Sequence, residues 1–231
     1  MLTCNKDCCL ACVLQAESPT QYRGGYGAQR GEGQDVSVAL AFKSPGWRDD
    51  HSAATMVVLQ TLLGGGASFS SGGPGKGMMS RLYQRVLHRH AWVTSCSAYS
   101  SMFNDIGLFG IQSMCEGERA SDLVDLMCTE LQEVAAGRFS EKELQRAKRH
   151  AIAGVGYSLE MSSMRAEDIA RQVMTYGERK PMSHFFEMME QLSRSDIAKV
   201  TSSILQSRPT LVAFGNTSYM PRYDSISTRF N

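Results

Sequence analysis

The sequence predicts an α+β fold, with helices layered on a largely antiparallel sheet. Three observations carry this. Val36, Val38, Leu40 and Phe42 alternate with Ser37, Ala39 and Ala41, the period of two that defines a strand. The runs Trp92 to Tyr99 and Ile106 to Ser113 are rich in β-branched and aromatic residues and meet across Asn104-Asp105, which predicts a hairpin. Elsewhere apolar residues recur every three or four positions. Grouped strands with helical runs between them favour an antiparallel sheet over a parallel doubly wound one.

In chain order, Tyr22 to Gly33 holds five glycines and reads as a flexible approach segment. The strand at 36–42 then has one large-residue face and one small-residue face. The small face predicts closely packed helices over it, and Pro45-Gly46 ends the strand. A helix over 49–63 follows, capped by Asp49 or Asp50, with Ala54, Val57, Val58, Thr61 and Leu62 as its buried stripe. A second helix begins near Met78 and runs through Arg81, Leu82, Tyr83 and Val86. After the hairpin, Leu123, Met127, Leu131 and Val134 form one stripe, stopped by Gly137. Ser140 with Glu143 is a capping box that opens another helix. Helices are also expected at 161–176, 182–192 and 196–205, and a last strand at 211–214.

Charge is balanced, 24 basic against 23 acidic side chains, so bulk charge points to neither nucleic acid nor a lipid surface. No apolar run approaches the roughly 18 residues of a membrane span. The seven cysteines are an odd number, and no secretory signal precedes them, which predicts free thiols in a reducing compartment. Cys4, Cys8, Cys9 and Cys12 lack the two spaced pairs of a structural zinc site. Residues 1–16 are therefore an unassigned leader, weak as a transit peptide because Lys6 is their only basic side chain. The domain proper is expected over 17–231.

The most unusual segment is Gly64 to Gly77, in which seven of 14 residues are glycine. Such a backbone reaches conformations other residues avoid and loses much entropy when ordered. Its free N–H and C=O groups suit an extended peptide added as a strand, and a plain flexible linker is the competing reading. Gly75-Lys76 invites a phosphate-loop reading. That fails because residue 77 is Gly where a hydroxyl is required, position 70 is Ser where the motif opens on Gly, and a helix precedes.

No catalytic or metal site is legible. His51, His88, His90, His150 and His184 form no His-Glu-x-x-His or inverted pair, and His184 has Met188 where a second His would stand. His88 and His90 read as solvated basic surface beside Arg85 and Arg89. No Gly-x-Ser-x-Gly elbow is present. Arg146, Lys148, Arg149 and His150 read as a solvated helix face with i, i+4 ion pairs to Glu141 and Glu143. The pairs Met78 with Met79, Met161 with Met164, and Met188 with Met189 read as core filler rather than a groove.

The run Leu62 to Tyr83, LLGGGASFSSGGPGKGMMSRLY, resembles the glycine-rich loop and following helix of the alpha-type subunits of mitochondrial processing peptidases. Tyr22-x-Gly24-Gly25 with Arg30, then Val38 to Phe42 and Pro45-Gly46-Trp47, is similar to the opening of the second domain of those subunits. Asn104-Asp105-x-Gly107 to Ile111 is similar to their central hairpin. The likeness covers 17–231 and one domain only, the second. It implies a pitrilysin-type peptidase domain without catalytic residues, metal ligands or a cofactor of its own. Zinc would sit in a catalytic beta-type partner. The implied substrate-binding residues are Gly64, Gly65, Gly66, Ser68, Phe69, Gly72, Gly73, Pro74, Gly75, Lys76 and Gly77, which would hold presequence peptides. The implied partners are the N-terminal half as another chain, the beta-type subunit and other subunits of respiratory complex III. The implied place is the mitochondrial matrix, on the matrix side of the inner membrane. The alternative is a purely structural core subunit of ubiquinol–cytochrome c reductase.

Overall fold

The computed structural model describes residues 21–67 and 78–230. Six strands form one sheet in the order β1-β6-β2-β5-β4-β3. They are β1 (Gly25–Arg30), β2 (Asp35–Pro45), β3 (Gly65–Ala67), β4 (Val93–Met102), β5 (Ile106–Glu116) and β6 (Thr210–Gly215). Only the β1–β6 pair is parallel; β2 runs antiparallel to both β5 and β6. The helices are α1 (Asp50–Leu63), α2 (Ala120–Ala135), α3 (Glu141–Glu160), α4 (Ser162–Tyr176), α5 (Met182–Gln191), α6 (Arg194–Leu205) and α7 (Tyr223–Ser227). A π-helical turn, Tyr83–Leu87, precedes β4.

The core lies between the helices and the large-residue face of β2. Val36, Val38, Leu40 and Phe42 are buried, and the register sets Leu40 beside Ile111 and Leu211, and Phe42 beside Phe109. Each such side chain contributes about 1.5–3 kcal/mol on leaving water. The expectation that helices cover the small-residue face is overturned. Ser37 is exposed, and on the same face Val212 and Phe214 of β6 are 48% and 55% exposed. Helices follow the larger apolar area, and small residues cannot supply it.

Two further expectations change. The glycine-rich approach is partly a strand: β1 pairs in register with β6 through backbone groups, so no side-chain alternation announces it. Tyr22 secures its entry, with its hydroxyl 2.7 Å from Thr210 Oγ1. Helix α1 buries more than the expected stripe. Met56, Leu59 and Leu63 are fully buried while Val57 and Thr61 are only half-buried, because α1 packs on the sheet and also on α3, α5 and α6. The hairpin, the α2 stripe and the Ser140–Glu143 box stand as expected. Helix α6 starts earlier than 196, because Ser193 with Asp196 makes a second capping box.

Helix α4 stands off the body, with most of its residues exposed and α3 its main neighbour. Its C-terminal end is tied down. Thr175 donates to Asn104 at 2.9 Å, Tyr176 donates to the Trp47 carbonyl at 2.6 Å, and the Arg171 guanidinium stacks 4.0 Å from the Trp47 ring.

The chain returns from the glycine-rich segment at Met78, and Arg81 is then driven fully inside. Its Nε donates to Glu130 at 2.6 Å and its Nη1 to the Arg138 carbonyl at 2.9 Å. Glu133 and Glu143 stand 3.8 Å from the same guanidinium. Arg81→Ala would leave Glu130 with only the longer, partly exposed contact to Arg85 at 3.5 Å, and removing one member of a buried pair costs about 3–5 kcal/mol. Denaturant melts of wild type and variant measure it; a loss under about 1 kcal/mol would show that the pair is dispensable.

The two capping boxes yield a second measurement. Burial pushes Glu143 up, but the hydrogen bonds it accepts from Ser140, with Arg81 nearby, hold it below the usual carboxylate range. The Ser193 hydroxyl and N–H hold Asp196 low. Both stabilising contributions are present above the unfolded carboxylate values and fade as pH falls through the lowered ones. Ser140→Ala and Ser193→Ala should each lose about 1 kcal/mol at neutral pH. The loss should shrink in acid, read from urea midpoints across pH.

Candidate functional site

The described part of the glycine-rich segment is its two roots. At the first, Gly64 ends α1 with φ +55°, and its N–H donates to Gln60 at 2.7 Å. A Cβ there would stand 2.3 Å from the Ser80 Cβ, so the position excludes every residue but glycine on space and on backbone angle. The Gly64 carbonyl accepts from the Ala98 N–H at 2.8 Å. The chain then runs as β3 along β4, with Gly65 opposite Ser97 and Gly66 opposite Cys96. β3 is the last strand of the sheet, so its outer edge has no strand partner among the described residues. The second root is Met79, Ser80 and buried Arg81. The two roots meet at Gly64 and Ser80, and Ser68, Phe69, Gly72, Gly73, Pro74, Gly75, Lys76 and Gly77 lie outside the described residues, as do Cys4, Cys8, Cys9 and Cys12.

Both roots open onto a groove of about 1250 Å³ between α1, α3 and α4. Val57 and Thr61 of α1, Ala147 and Ala151 of α3 and Met164 of α4 line it. Met79 lines it too, and with Met78, Met161 and Met164 it is exposed; of the methionine pairs, only Met188 and Met189 serve the core.

The basic run on α3 does not form the expected ion pairs. Lys148 is turned inward, and its Nζ donates to the Glu190 carbonyl at 2.9 Å. Arg146 and Arg149 have no ion pair among the described residues. The acidic partners are already engaged, Glu141 with Gln145 and Glu143 with Ser140 and Arg81.

Among the described residues of the site, no nucleophile, base and metal ligands come together. His88 and His90 share the segment between the π-helical turn and β4, His51 lies on α1, His150 on α3 and His184 on α5, where it sits 3.1 Å from Asp50, which also pairs with Lys180. Burial pushes Asp50 up, but Lys180 and His184 hold it below the usual carboxylate range. It is a charged tie between α1 and α5. Among the described residues, no group of three or more His, Cys, Asp or Glu side chains is placed to hold a metal. Cys96, Cys115 and Cys128 are free and buried. Burial pushes their thiols up to about 12, 12 and 11, too high to supply a thiolate at neutral pH.

Sequence reasoning found the glycines but missed Arg81 and the groove. An arginine between apolar residues carries no mark that separates a buried cation from a surface one.

Comparison with known proteins agrees with this geometry. The model of the peptidase M16 inactive domain matches residues 14–150. A probable mitochondrial-processing peptidase subunit alpha-2 of Arabidopsis thaliana is 45% identical over 93% of this chain and 43% of its own length. The mitochondrial-processing peptidase subunit alpha of Solanum tuberosum is 39% identical over 94% of this chain and 44% of its own. That of Homo sapiens is 33% identical over 74% and 32%. The chain thus spans less than half the length of these relatives. A chain from the structure of complex III2 of Candida albicans, Inz-5 bound, superposes with a TM-score of 0.81 over 94% of this chain and 51% of that one, at 18% identity, and so shares the fold. By the inactive-domain match and by these relatives, the chain belongs to the peptidase M16 family.

Proposed function

We propose that this chain is the second, non-catalytic domain of an alpha-type subunit of a mitochondrial processing peptidase, and that residues 64–77 hold presequence peptides by their backbone. The domain proper runs over 17–231. The observation that carries the reading is the identity of 33–45% to subunits of that name, extending across a segment whose roots the fold pins side by side. An unpaired strand edge leading into a glycine run suits an extended peptide. A purely structural core subunit, the reading nearest the complex III likeness, has no use for seven glycines in 14 residues.

The catalytic zinc belongs to a beta-type partner, where it would activate the attacking water; this chain contributes binding alone. The first half of the subunit is the other partner, and its docking surface is the sheet face opposite the helices, where Val212 and Phe214 stand out to water. The place is the mitochondrion, on the matrix side, with assembly into complex III alongside.

Two measurements test this. Replacing Gly72, Gly73 and Gly75 by alanine costs about 1 kcal/mol wherever the bound backbone needs the left-handed region. Presequence affinity of the reconstituted complex should fall by up to about a hundredfold, at tenfold per 1.4 kcal/mol. Unchanged affinity makes the segment a linker, and lost respiration with intact binding favours the structural role. Second, the isolated chain should sediment as more than a monomer, and Val212→Ser with Phe214→Ser should restore a monomer while weakening reconstitution with the first half. A wild-type monomer with a sharp reversible melt would overturn the assigned face.

A further inference from the structure

The groove beside the glycine roots has a charge that the proposed substrate does not need. Lys142, Arg146 and Arg149 line it from α3 at spacings of four and three, which aligns them on one stripe of the helix. All three are exposed, and none has an ion pair among the described residues. Three carboxylates share the lining: Glu143 is engaged by Ser140 and Arg81, Asp168 is paired with Arg171, and only Glu167 has no ion pair among the described residues. Cations gathered along a cleft with apolar walls focus a positive field into it.

The floor beneath them is apolar and open. Leu62, Ala98, Ala147 and Ala151 are buried there, so the groove reaches down to the core. Gly154 continues the same wall in the interior of α3. Glycine weakens a helix interior relative to alanine. Nothing lies within 4 Å of where its Cβ would be, so no contact within the described chain requires glycine there.

We infer that this groove docks an acidic polypeptide segment, with apolar side chains on the floor and carboxylates against Lys142, Arg146 and Arg149. A basic presequence is repelled by the same stripe, so this occupant is distinct from the peptide proposed for residues 64–77. Charge complementarity selects acidic over basic partners, and the apolar floor selects polypeptide over nucleic acid.

The test uses the full chain and a fluorescein-labelled peptide rich in Glu and Leu, read by anisotropy. Its controls are the same peptide with Lys for Glu, the same with Ser for Leu, and a single-stranded oligonucleotide. The Glu/Leu peptide should bind most tightly. Arg146→Glu with Arg149→Glu should lower its affinity by about tenfold or more. Gly154→Trp, which fills the groove from an unobstructed position, should lower it comparably, while Gly154→Ala should leave it intact. Thermal melts of all variants should match wild type or exceed it. Equal binding of the Lys peptide or of the oligonucleotide overturns the inference, as does unchanged affinity in the charge-reversed or Trp variant. Because residues 64–77 are untouched, this outcome is independent of the presequence measurement.

Discussion

A guanidinium with no exposed surface governs how this fold presents its glycine-rich segment. Arg81 follows that segment by only a few residues and is held by Glu130, by the Arg138 carbonyl and by the field of Glu133 and Glu143. A buried ion pair of this kind adds little net stability over an apolar substitute, since desolvation offsets most of the attraction. What it adds is position. An apolar side chain at 81 would tolerate sliding along the α2–α3 seam, whereas a guanidinium must meet its carboxylates in register. The second root is therefore set by charge, and the first by the steric demand of Gly64 against Ser80.

The parts of the fold legible in the sequence are those whose side chains repeat. The α2 stripe, the hairpin at Asn104-Asp105 and the Ser140–Glu143 box rest on local patterns, and each stands in the structure. The errors fall where the backbone or the layering decides. β1 is built by pairing with β6 through groups every residue owns, so its glycines hid it. The two faces of β2 were told apart correctly, but which face the helices take depends on the total apolar area offered, and Phe42 outweighs Ala41. For α1 a single stripe was too narrow, because a helix with neighbours on several sides buries more of its circumference.

For the site, composition exposed the glycine run, and the five histidines are not spaced as a zinc-peptidase pair. Partner choice was not legible. Arg146 follows Glu143 by three residues and looks paired, but Glu143 is drawn to the cap and to Arg81, while Arg149 stands six residues after Glu143, out of helical reach. Lys148 resembles its neighbours on paper but points the other way, into the body against Glu190. A helical wheel gives direction, and competition among acceptors then decides which charges remain free.

The free surfaces differ in what each one lacks. Among the described residues the outer edge of β3 has no strand partner, which another extended chain would supply. The face bearing Val212 and Phe214 lacks apolar cover, which a second layer supplies and a strand cannot. In the α3 groove Lys142, Arg146 and Arg149 lack ion-pair partners among the described residues, above an apolar floor. The chain is less than half the length of its relatives. Its helical side already closes a core around Leu40, Phe109 and Leu211. Under the proposed function, the edge, the face and the groove are the surfaces that assembly covers.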